Sequence, residues 1–255
     1  MQHRLNAEFL GISEDDGKVA VVAEIGNAHN GDKAQAIELI RRAQAGGADF
    51  VKFQAYVPME LVALRGNGPA PEPWGSQGRT MLDLYEQAQT PLEWFPDLVS
   101  YCVECEMPWF ASVFGSASLT AMEMLRCPAY KLAALDYRAR SLREMVESTA
   151  KPIIRSCPLE RVPRGPNPAT MLYCPPGYPQ TQLHLGKLDR RGFDGLSYHG
   201  TDILAPVMAV VHGARVVEVH VQLDDYPSVL EAGVSIGMDA FADMVLLIRK
   251  IGEWV

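Results

Sequence analysis

The chain has 255 residues, of which 48% are hydrophobic, and its formal net charge is −8. A chain of this length and apolar fraction can bury a substantial core, which excludes an intrinsically disordered protein. The acidic balance, with no extended cluster of Lys or Arg, gives no electrostatic basis for binding nucleic acid or an anionic membrane.

Two further features of the composition concern the cellular compartment. No uncharged apolar run is long enough to cross a membrane, and residues 1–16 lack the basic-then-apolar pattern of a secretory signal. The five cysteines are an odd number, and a chain of this length does not need disulfide bonds to fold. We therefore expect a soluble, cytoplasmic protein with reduced thiols.

Short apolar runs rich in β-branched residues recur along the chain and predict eight strands, at 19–25, 50–55, 109–114, 130–135, 152–157, 171–174, 195–199 and 216–223. Helical patterns separate most of them, at 32–45, 91–106, 116–126, 139–150, 203–211 and 239–254. Alternating strands and helices predict a parallel sheet, because parallel neighbours need a covering connection. Eight such units in about 250 residues are typical of a (β/α)8 barrel, also called a TIM barrel. A doubly wound open sheet is the alternative.

We expect residues 1–255 to form a single barrel domain in which 1–18 are an N-terminal extension. Residues 7–12 of that extension show weak strand-like patterning, and no chemistry is assigned to them. Residues 56–80, rich in Gly and Pro, predict a long irregular loop after strand 2, which would serve as a lid. Residues 158–168 carry four prolines and predict an irregular, proline-rich fifth crossover without a helix.

Polar residues gather at the C-terminal ends of the predicted strands, where barrel enzymes keep their chemistry. The set comprises Glu24, Asn27, His29, Asn30, Lys52, Gln54, Ser112, Lys131, Asp136, Ser156, Tyr178, Ser197, His199, Glu218, His220 and Gln222. Alternate residues of a strand share a face, so several of these side chains should point together into the barrel. This pattern predicts a site, because an ordinary core would be apolar.

His199 and His220 close the last two predicted strands, which are neighbours in a barrel. Their imidazoles can converge on a divalent ion such as manganese, zinc or iron. Two hydrogen-bonded histidines without a metal are the alternative.

Lys52 and Lys131, together with the serines at 112, 156 and 197, favour binding of an anionic phosphate or carboxylate. A Schiff-base lysine, or a buried ion pair with Glu24 or Asp136, is the alternative for either amine.

The segments AEIGNAHNG at 23–31 and VKFQ at 51–54 resemble the opening of the N-acetylneuraminate (sialic acid) synthase family. Further similarities to motifs of that family lie at 110–115, 129–132, 151–156, 172–179, 197–200 and 218–224. The resemblance therefore extends from about residue 19 to the C-terminus.

The resemblance implies an enzyme that condenses phosphoenolpyruvate, or a related keto acid, with an amino-sugar aldehyde to give a longer 2-keto acid and phosphate. It implies a divalent ion, usually manganese in this family, that is held by His199 and His220 and polarises the aldehyde oxygen. It implies these further roles: catalysis by Glu24, Asp136 and Lys52; phosphoenolpyruvate binding by Lys52, Lys131, Ser112, Ser156 and Ser197; and sugar binding by Asn27, His29, Gln54 and Tyr178.

The chain also departs from the family pattern. Ala134 replaces a serine, residues 175–177 replace a stretch with an asparagine, and 229–235 differ from a stretch that helps to bind the sugar. The family's C-terminal antifreeze-like domain has no counterpart before Val255. We expect small-molecule substrates, and as protein partner either a second copy of the chain or a separate antifreeze-like chain. Schiff-base aldol chemistry and a catalytically reduced binding or regulatory protein are the alternatives.

Overall fold

The computed structural model describes residues 8–12, 17–161, 169–188 and 192–253. Its strands are β1 (Ala20–Glu24), β2 (Phe50–Ala55), β3 (Trp109–Val113), β4 (Tyr130–Leu132), β5 (Ile153–Cys157), β6 (Thr170–Tyr173), β7 (Gly195–Tyr198) and β8 (Val216–Gln222). They pair in parallel in chain order, and β8 also pairs with β1, which closes the sheet. The predicted (β/α)8 barrel is confirmed. A short strand β9 (Ser235–Gly237) runs parallel to the end of β8.

The surrounding helices are α1 (Lys33–Ala45), α2 (Pro58–Arg65), α3 (Met81–Ala88), α4 (Phe95–Glu104), α5 (Ser116–Met124), α6 (Arg140–Glu147), α7 (Leu204–Val211) and α8 (Met238–Gly252). Each of the six predicted helices is present, with ends that differ by a few residues. In the described part of the chain, no helix combines the length and the apolar character that crossing a bilayer requires.

The excursion between β2 and β3 is more regular than predicted. Helix α2 begins at Pro58, three residues after β2, because proline is tolerated in the first turn of a helix. Helix α3 follows further along the excursion. Leu61 of α2 packs with Tyr56, Tyr85 and Phe114 in a separate apolar cluster. The prediction of a wholly irregular loop over 56–80 was therefore wrong for 58–65. An eight-residue helix is too short to show a convincing period.

The fifth crossover begins with a single 3-10 turn at Leu159–Arg161. Its remaining prolines lie in residues 162–168, outside the described residues. The irregular fifth crossover therefore stays a prediction.

The inward-facing side chains change character along the strands. Near the N-terminal ends they form one buried apolar cluster, made of Ala20, Val22, Phe50, Phe110, Ala129, Ile154, Leu172 and Val216. Residues 8–10 are helical, so the strand-like interpretation of this segment was wrong. Leu10 joins the apolar cluster, and the ring of Phe9 lies 5.2 Å from that of Phe50. This helical turn closes the lower end of the barrel, which leaves the polar upper end as the place for a site.

Candidate functional site

A layer of buried polar side chains lies directly above the apolar cluster. It consists of Glu24, Lys52, Ser112, Lys131, Ser156, Ser197 and Glu218. Six of these seven stand two residues after a member of the apolar cluster, and Ser197 stands two residues after Gly195, so strand alternation points them into the barrel. Charged side chains are almost never buried unless they are paired, so their partners decide what this polar layer can do.

Lys52 is paired with Glu24 on the neighbouring strand. Its Nζ atom contacts Glu24 Oε2, donates to Ser112 Oγ at 3.0 Å and lies 3.9 Å from Glu218 Oε2. The other oxygen of Glu24 accepts a hydrogen bond from the backbone N–H of Gly26 at 2.6 Å. Burial lowers the pKa of Lys52, but the two carboxylates outweigh burial and raise it overall. Lys52 is therefore a fixed cation.

Lys131 reaches across the barrel from β4 to Glu218 on β8. Its Nζ atom lies 2.7 Å from Glu218 Oε1, which also accepts a hydrogen bond from Ser197 Oγ at 2.8 Å. Burial raises the pKa of Glu218, but Lys131 and Lys52 outweigh burial and hold that pKa far below its usual range. Burial lowers the pKa of Lys131, and the attraction of Glu218 offsets only part of this effect.

Above the polar layer, His199 and His220 converge as predicted. Their ring centroids are 4.9 Å apart. Nδ1 of His220 lies 3.2 Å from Glu231 Oε2, and the hydroxyl of Tyr178 donates to the other oxygen of Glu231. Burial lowers the pKa of His220, but Glu231 outweighs burial and raises it overall. Burial, followed by the nearby His220, lowers the pKa of His199 to about 3.

The loop after β6 contacts His199 through Gln180. The side-chain nitrogen of Gln180 lies 3.0 Å from His199 Nδ1, and the side-chain oxygen of Gln180 accepts the backbone N–H of His199 at 2.9 Å. An amide NH2 group can only donate, so His199 Nδ1 must accept. The ring proton of neutral His199 is then on Nε2.

This arrangement bears on the predicted divalent ion. A histidine that binds a metal usually donates its second ring N–H to a carboxylate, a carbonyl or water, and His220 meets this condition through Glu231. His199 does not, because its lone pair is at Nδ1 and is used by Gln180. Among the described residues, no group of three His, Cys, Asp or Glu side chains comes together around an ion. As arranged, the two histidines do not fit a divalent ion held through both Nε2 atoms.

Other predicted site residues lie in different surroundings. Asn27 accepts a hydrogen bond from Ser228 Oγ at 2.9 Å, and Gln54 is half-buried in β2. Both ring nitrogens of His29 are used, by the N–H of Gly31 and by Thr90 Oγ1 at 3.0 Å each. The structure therefore does not bring His29 into the polar layer.

Asp136 is paired with a residue outside the polar layer. Its carboxylate forms a two-point ion pair with Arg65 of α2, with separations of 2.9 and 2.5 Å. The guanidinium carbon Cζ of Arg65 in turn lies over the ring of Phe114, 5.3 Å from the ring centre.

Four residues that hold these side chains have no role predicted from the sequence: Arg65, Gln180, Glu218 and Glu231. Strand alternation does carry a signal for Glu218, which shares its face with His220. The other three lie in an excursion or in loops, where no periodic pattern exists to find them.

The fold and site define a (β/α)8-barrel protein with a buried ionic site at the C-terminal ends of its strands. The sequence profile of the NeuB family matches residues 39–162 and 165–255. Pseudaminic acid synthase of Helicobacter pylori is 30% identical over 254 residues, which cover 90% of this chain and 73% of that protein. N-acetylneuraminate-9-phosphate synthase of Mus musculus is 25% identical, with coverage of 91% of this chain and 69% of that protein.

A solved structure shares the barrel fold. The N-acetylneuraminic acid (sialic acid) synthetase of Leptospira borgpetersenii, in complex with citrate, superposes with a TM-score of 0.77 at 21% identity. The match covers 92% of this chain and 84% of that chain, and at this identity it shows the fold alone. The chain belongs to the NeuB family, whose sialic and pseudaminic acid synthases it resembles.

Proposed function

We propose that this protein condenses phosphoenolpyruvate with an amino-sugar aldehyde to give a longer 2-keto acid and inorganic phosphate. The observation that carries the proposal is the hydroxyl of Ser156, which is buried at the upper end of β5 and has no hydrogen-bond partner among the described residues. Strand β5 pairs with β4, which carries Lys131. The hydroxyl of Ser156 therefore belongs to a site that also holds two buried lysines and two further buried serines. A buried unpaired donor is costly unless a ligand satisfies it, and here the ligand would be an anion.

The reaction makes one carbon–carbon bond and one carbon–oxygen bond, the latter from water, and breaks the carbon–oxygen bond to phosphate. Carbon 3 of phosphoenolpyruvate attacks the aldehyde carbon, whose oxygen takes up a proton to become a hydroxyl group. Water adds to carbon 2 with loss of a proton, and phosphate leaves as the resulting tetrahedral centre collapses to the keto group with loss of the second proton of that water. Lys52 and Lys131, with Ser112, Ser156 and Ser197, would hold the phosphate and carboxylate groups. Fixed cations in a desolvated site stabilise charge as it develops in the transition state.

The two buried carboxylates would have different duties. Lys131 and Lys52 hold the pKa of Glu218 so low that Glu218 is a poor proton acceptor. Its role would instead be to orient the side chains of Lys131 and Ser197. Glu24 remains as the acceptor of the proton released when water attacks carbon 2. Asn27, Gln54 and Tyr178 would contact the sugar, and Tyr178 lies beside His199, with ring centroids 5.3 Å apart.

The names of the relatives support an amino-sugar aldehyde as the acceptor, because the Helicobacter pylori protein is called pseudaminic acid synthase. A divalent ion, if it takes part, requires His199 to offer Nε2, and no step above depends on it. The assignment of His29 and Asp136 to sugar binding and catalysis stays a prediction, to be compared with their observed partners.

The test is an assay of phosphate release from phosphoenolpyruvate with a panel of N-acetylated hexosamine aldehydes, with mass detection of the 2-keto acid. Calorimetry would compare phosphoenolpyruvate binding in the wild type, Ser156→Ala and Lys131→Met, with Ser100→Ala on the exposed face of α4 as the matched control. We expect Ser156→Ala to weaken binding about tenfold and Ser100→Ala to leave it unchanged.

Equal binding by the two serine variants, or absence of phosphate release with every aldehyde, would contradict the proposal. In that case, borohydride trapping of a keto acid on Lys52 or Lys131 would distinguish Schiff-base aldol chemistry from a binding protein.

A further inference from the structure

The loop after β6 folds the side chain of Gln180 back against the end of β7. The backbone N–H of Gln180 donates to the carbonyl of His199 at 2.8 Å, and the backbone N–H of His199 donates to Gln180 Oε1 at 2.9 Å. Gln180 Nε2 donates to the carbonyl of Pro175 at 2.7 Å and lies 3.0 Å from His199 Nδ1. With only 5% of its surface exposed, Gln180 has little freedom to move.

The orientation of this amide is fixed from both ends. If oxygen and nitrogen of Gln180 were exchanged, the oxygen would face the Pro175 carbonyl and the NH2 group would face the His199 N–H. Both contacts would then be repulsive, so the NH2 group must be the atom beside Nδ1. Because NH2 cannot accept, Nδ1 carries the lone pair and Nε2 carries the hydrogen.

The neighbouring histidine is held in the opposite way. Nδ1 of His220 faces the Glu231 carboxylate, which can only accept, so the hydrogen of His220 is on Nδ1. The two rings are only 4.9 Å apart, yet their surroundings give them different hydrogen-bonding roles. In a neutral pair, His199 presents a donor at Nε2 and His220 presents a lone pair at Nε2.

We propose that Gln180 is a positioning residue that fixes His199 as a hydrogen-bond donor through Nε2–H and thereby keeps the histidine pair from binding divalent metal tightly. The donor would serve an oxygen atom of the bound ligand, and this last assignment rests on the proposed condensation. For both rings to bind an ion through Nε2, His199 must move its hydrogen to Nδ1, which breaks the hydrogen bond from Gln180.

The direct test is a long-range ¹H–¹⁵N spectrum of the metal-free wild-type protein above neutral pH, with His199→Asn used to assign the signals. Nitrogen shifts in this spectrum distinguish a protonated Nε2 from a protonated Nδ1. We expect His199 to carry its hydrogen on Nε2. A wild-type spectrum in which His199 carries its hydrogen on Nδ1 would overturn the proposal.

Replacing the side-chain amide of Gln180 by a carboxylate should reverse the direction of its hydrogen bond with His199 Nδ1. In Gln180→Glu, the carboxylate can only accept, so we expect the His199 hydrogen to move to Nδ1. Gln182→Met is the matched control, because Gln182 is an exposed glutamine of the same loop. It should retain the wild-type spectrum. A folded Gln180→Glu protein in which the hydrogen stays on Nε2 would contradict the proposal.

Metal affinity provides the second measurement, made with Mn²⁺ alone and followed by the loss of the free-ion electron paramagnetic resonance signal. We expect Gln180→Met to bind Mn²⁺ about fivefold more tightly than wild type, since one competing hydrogen bond is gone. Gln180→Glu should bind about tenfold more tightly, because a carboxylate partner supports a metal-bound histidine. Unchanged affinity in both variants would overturn the metal half of the proposal.

These measurements use no substrate. A failed condensation assay therefore leaves the tautomer result standing, and an unexpected tautomer leaves the condensation assay as a separate question.

Discussion

Lys131 and Glu218 lie on opposite walls of the barrel, on β4 and β8, and the Lys131 Nζ atom is 2.7 Å from Glu218 Oε1. Their side chains are only 3% and 5% exposed. The pair therefore spans the interior just above the apolar cluster. Removal of one partner would leave the other charge buried without compensation, which is far more costly than the loss of a surface ion pair.

We expect Glu218→Gln to lower the free energy of unfolding by about 3 to 5 kcal/mol, measured by urea denaturation. The double variant Lys131→Met with Glu218→Leu should regain much of that loss, because neither charge is then buried alone. Arg140→Met is the control, since Arg140 pairs with Glu144 at the same distance of 2.7 Å but on the surface. It should cost about 0.5 kcal/mol. Equal losses for Glu218→Gln and Arg140→Met would contradict this account.

Gly26 makes room for the pair formed by His220 and Glu231. Its φ angle is +52°, and an added Cβ atom would lie 2.9 Å from Glu231 Oε2 and 3.3 Å from His220 Nδ1. Gly31 in the same loop also has a positive φ angle, of +78°, but an added Cβ would have nothing within 4 Å. The two glycines therefore separate backbone strain from crowding of the site.

Both Gly26→Ala and Gly31→Ala should cost about 1 to 2 kcal/mol of unfolding free energy through backbone strain. Only Gly26→Ala should also displace Glu231, which holds the hydroxyl of Tyr178, a proposed sugar contact. We therefore expect Gly26→Ala to slow phosphate release about tenfold more than Gly31→Ala does. The comparison needs urea denaturation for both variants and the steady-state rate for both. Matched rates would show that Glu231 tolerates the added methyl group.

Arg65 and Asp136 join α2 to the loop after β4, and the carboxylate of Asp136 is 1% exposed. Because both of its oxygens are occupied by Arg65, we expect Asp136→Leu to act mainly through the excursion that carries α2. It should destabilise the protein by about 3 kcal/mol and raise KM more than it lowers kcat. Arg65→Met should give the same pattern. A large fall in kcat in Asp136→Leu alone, with unchanged KM, would restore Asp136 to a catalytic role.

Much of the barrel was accessible from the sequence, because strand alternation is a local property. The same alternation placed Lys52, Lys131 and Ser156 in one interior, since a closed parallel barrel leaves inward side chains no other place to point. The convergence of His199 and His220 followed from the pairing of β7 with β8.

The partners of individual side chains were not accessible in this way. Asp136 is bound by Arg65, which is 71 residues away on a helix too short to recognise by its period. Gln180 lies in a loop, where its orientation depends on the carbonyl of Pro175 and the N–H of His199. Such choices depend on three-dimensional contacts between segments distant in sequence, and a single sequence carries no local signal for them.

His29 provides a prediction about pH. Burial lowers the pKa of His29 to about 4 from an ordinary value of 6.5, and the nearby Glu231 and Asp32 offset only part of this effect. Between these two values the unfolded chain binds a proton that the folded protein does not. Stability contributed by neutral His29 is therefore complete above about pH 6.5 and is lost as the pH falls toward 4.

We expect wild type to lose about 2 to 3 kcal/mol of unfolding free energy through this residue between about pH 7 and about pH 4.5. His29→Gln should lose correspondingly less over the same range, because glutamine can accept from Gly31 and donate to Thr90 without titrating. Urea denaturation of both proteins at several pH values measures the difference, and the contribution of His199 and the carboxylates cancels in the comparison. Parallel pH profiles for the two proteins would contradict this prediction. They would mean that His29 binds its proton as readily in the folded protein as in the unfolded chain.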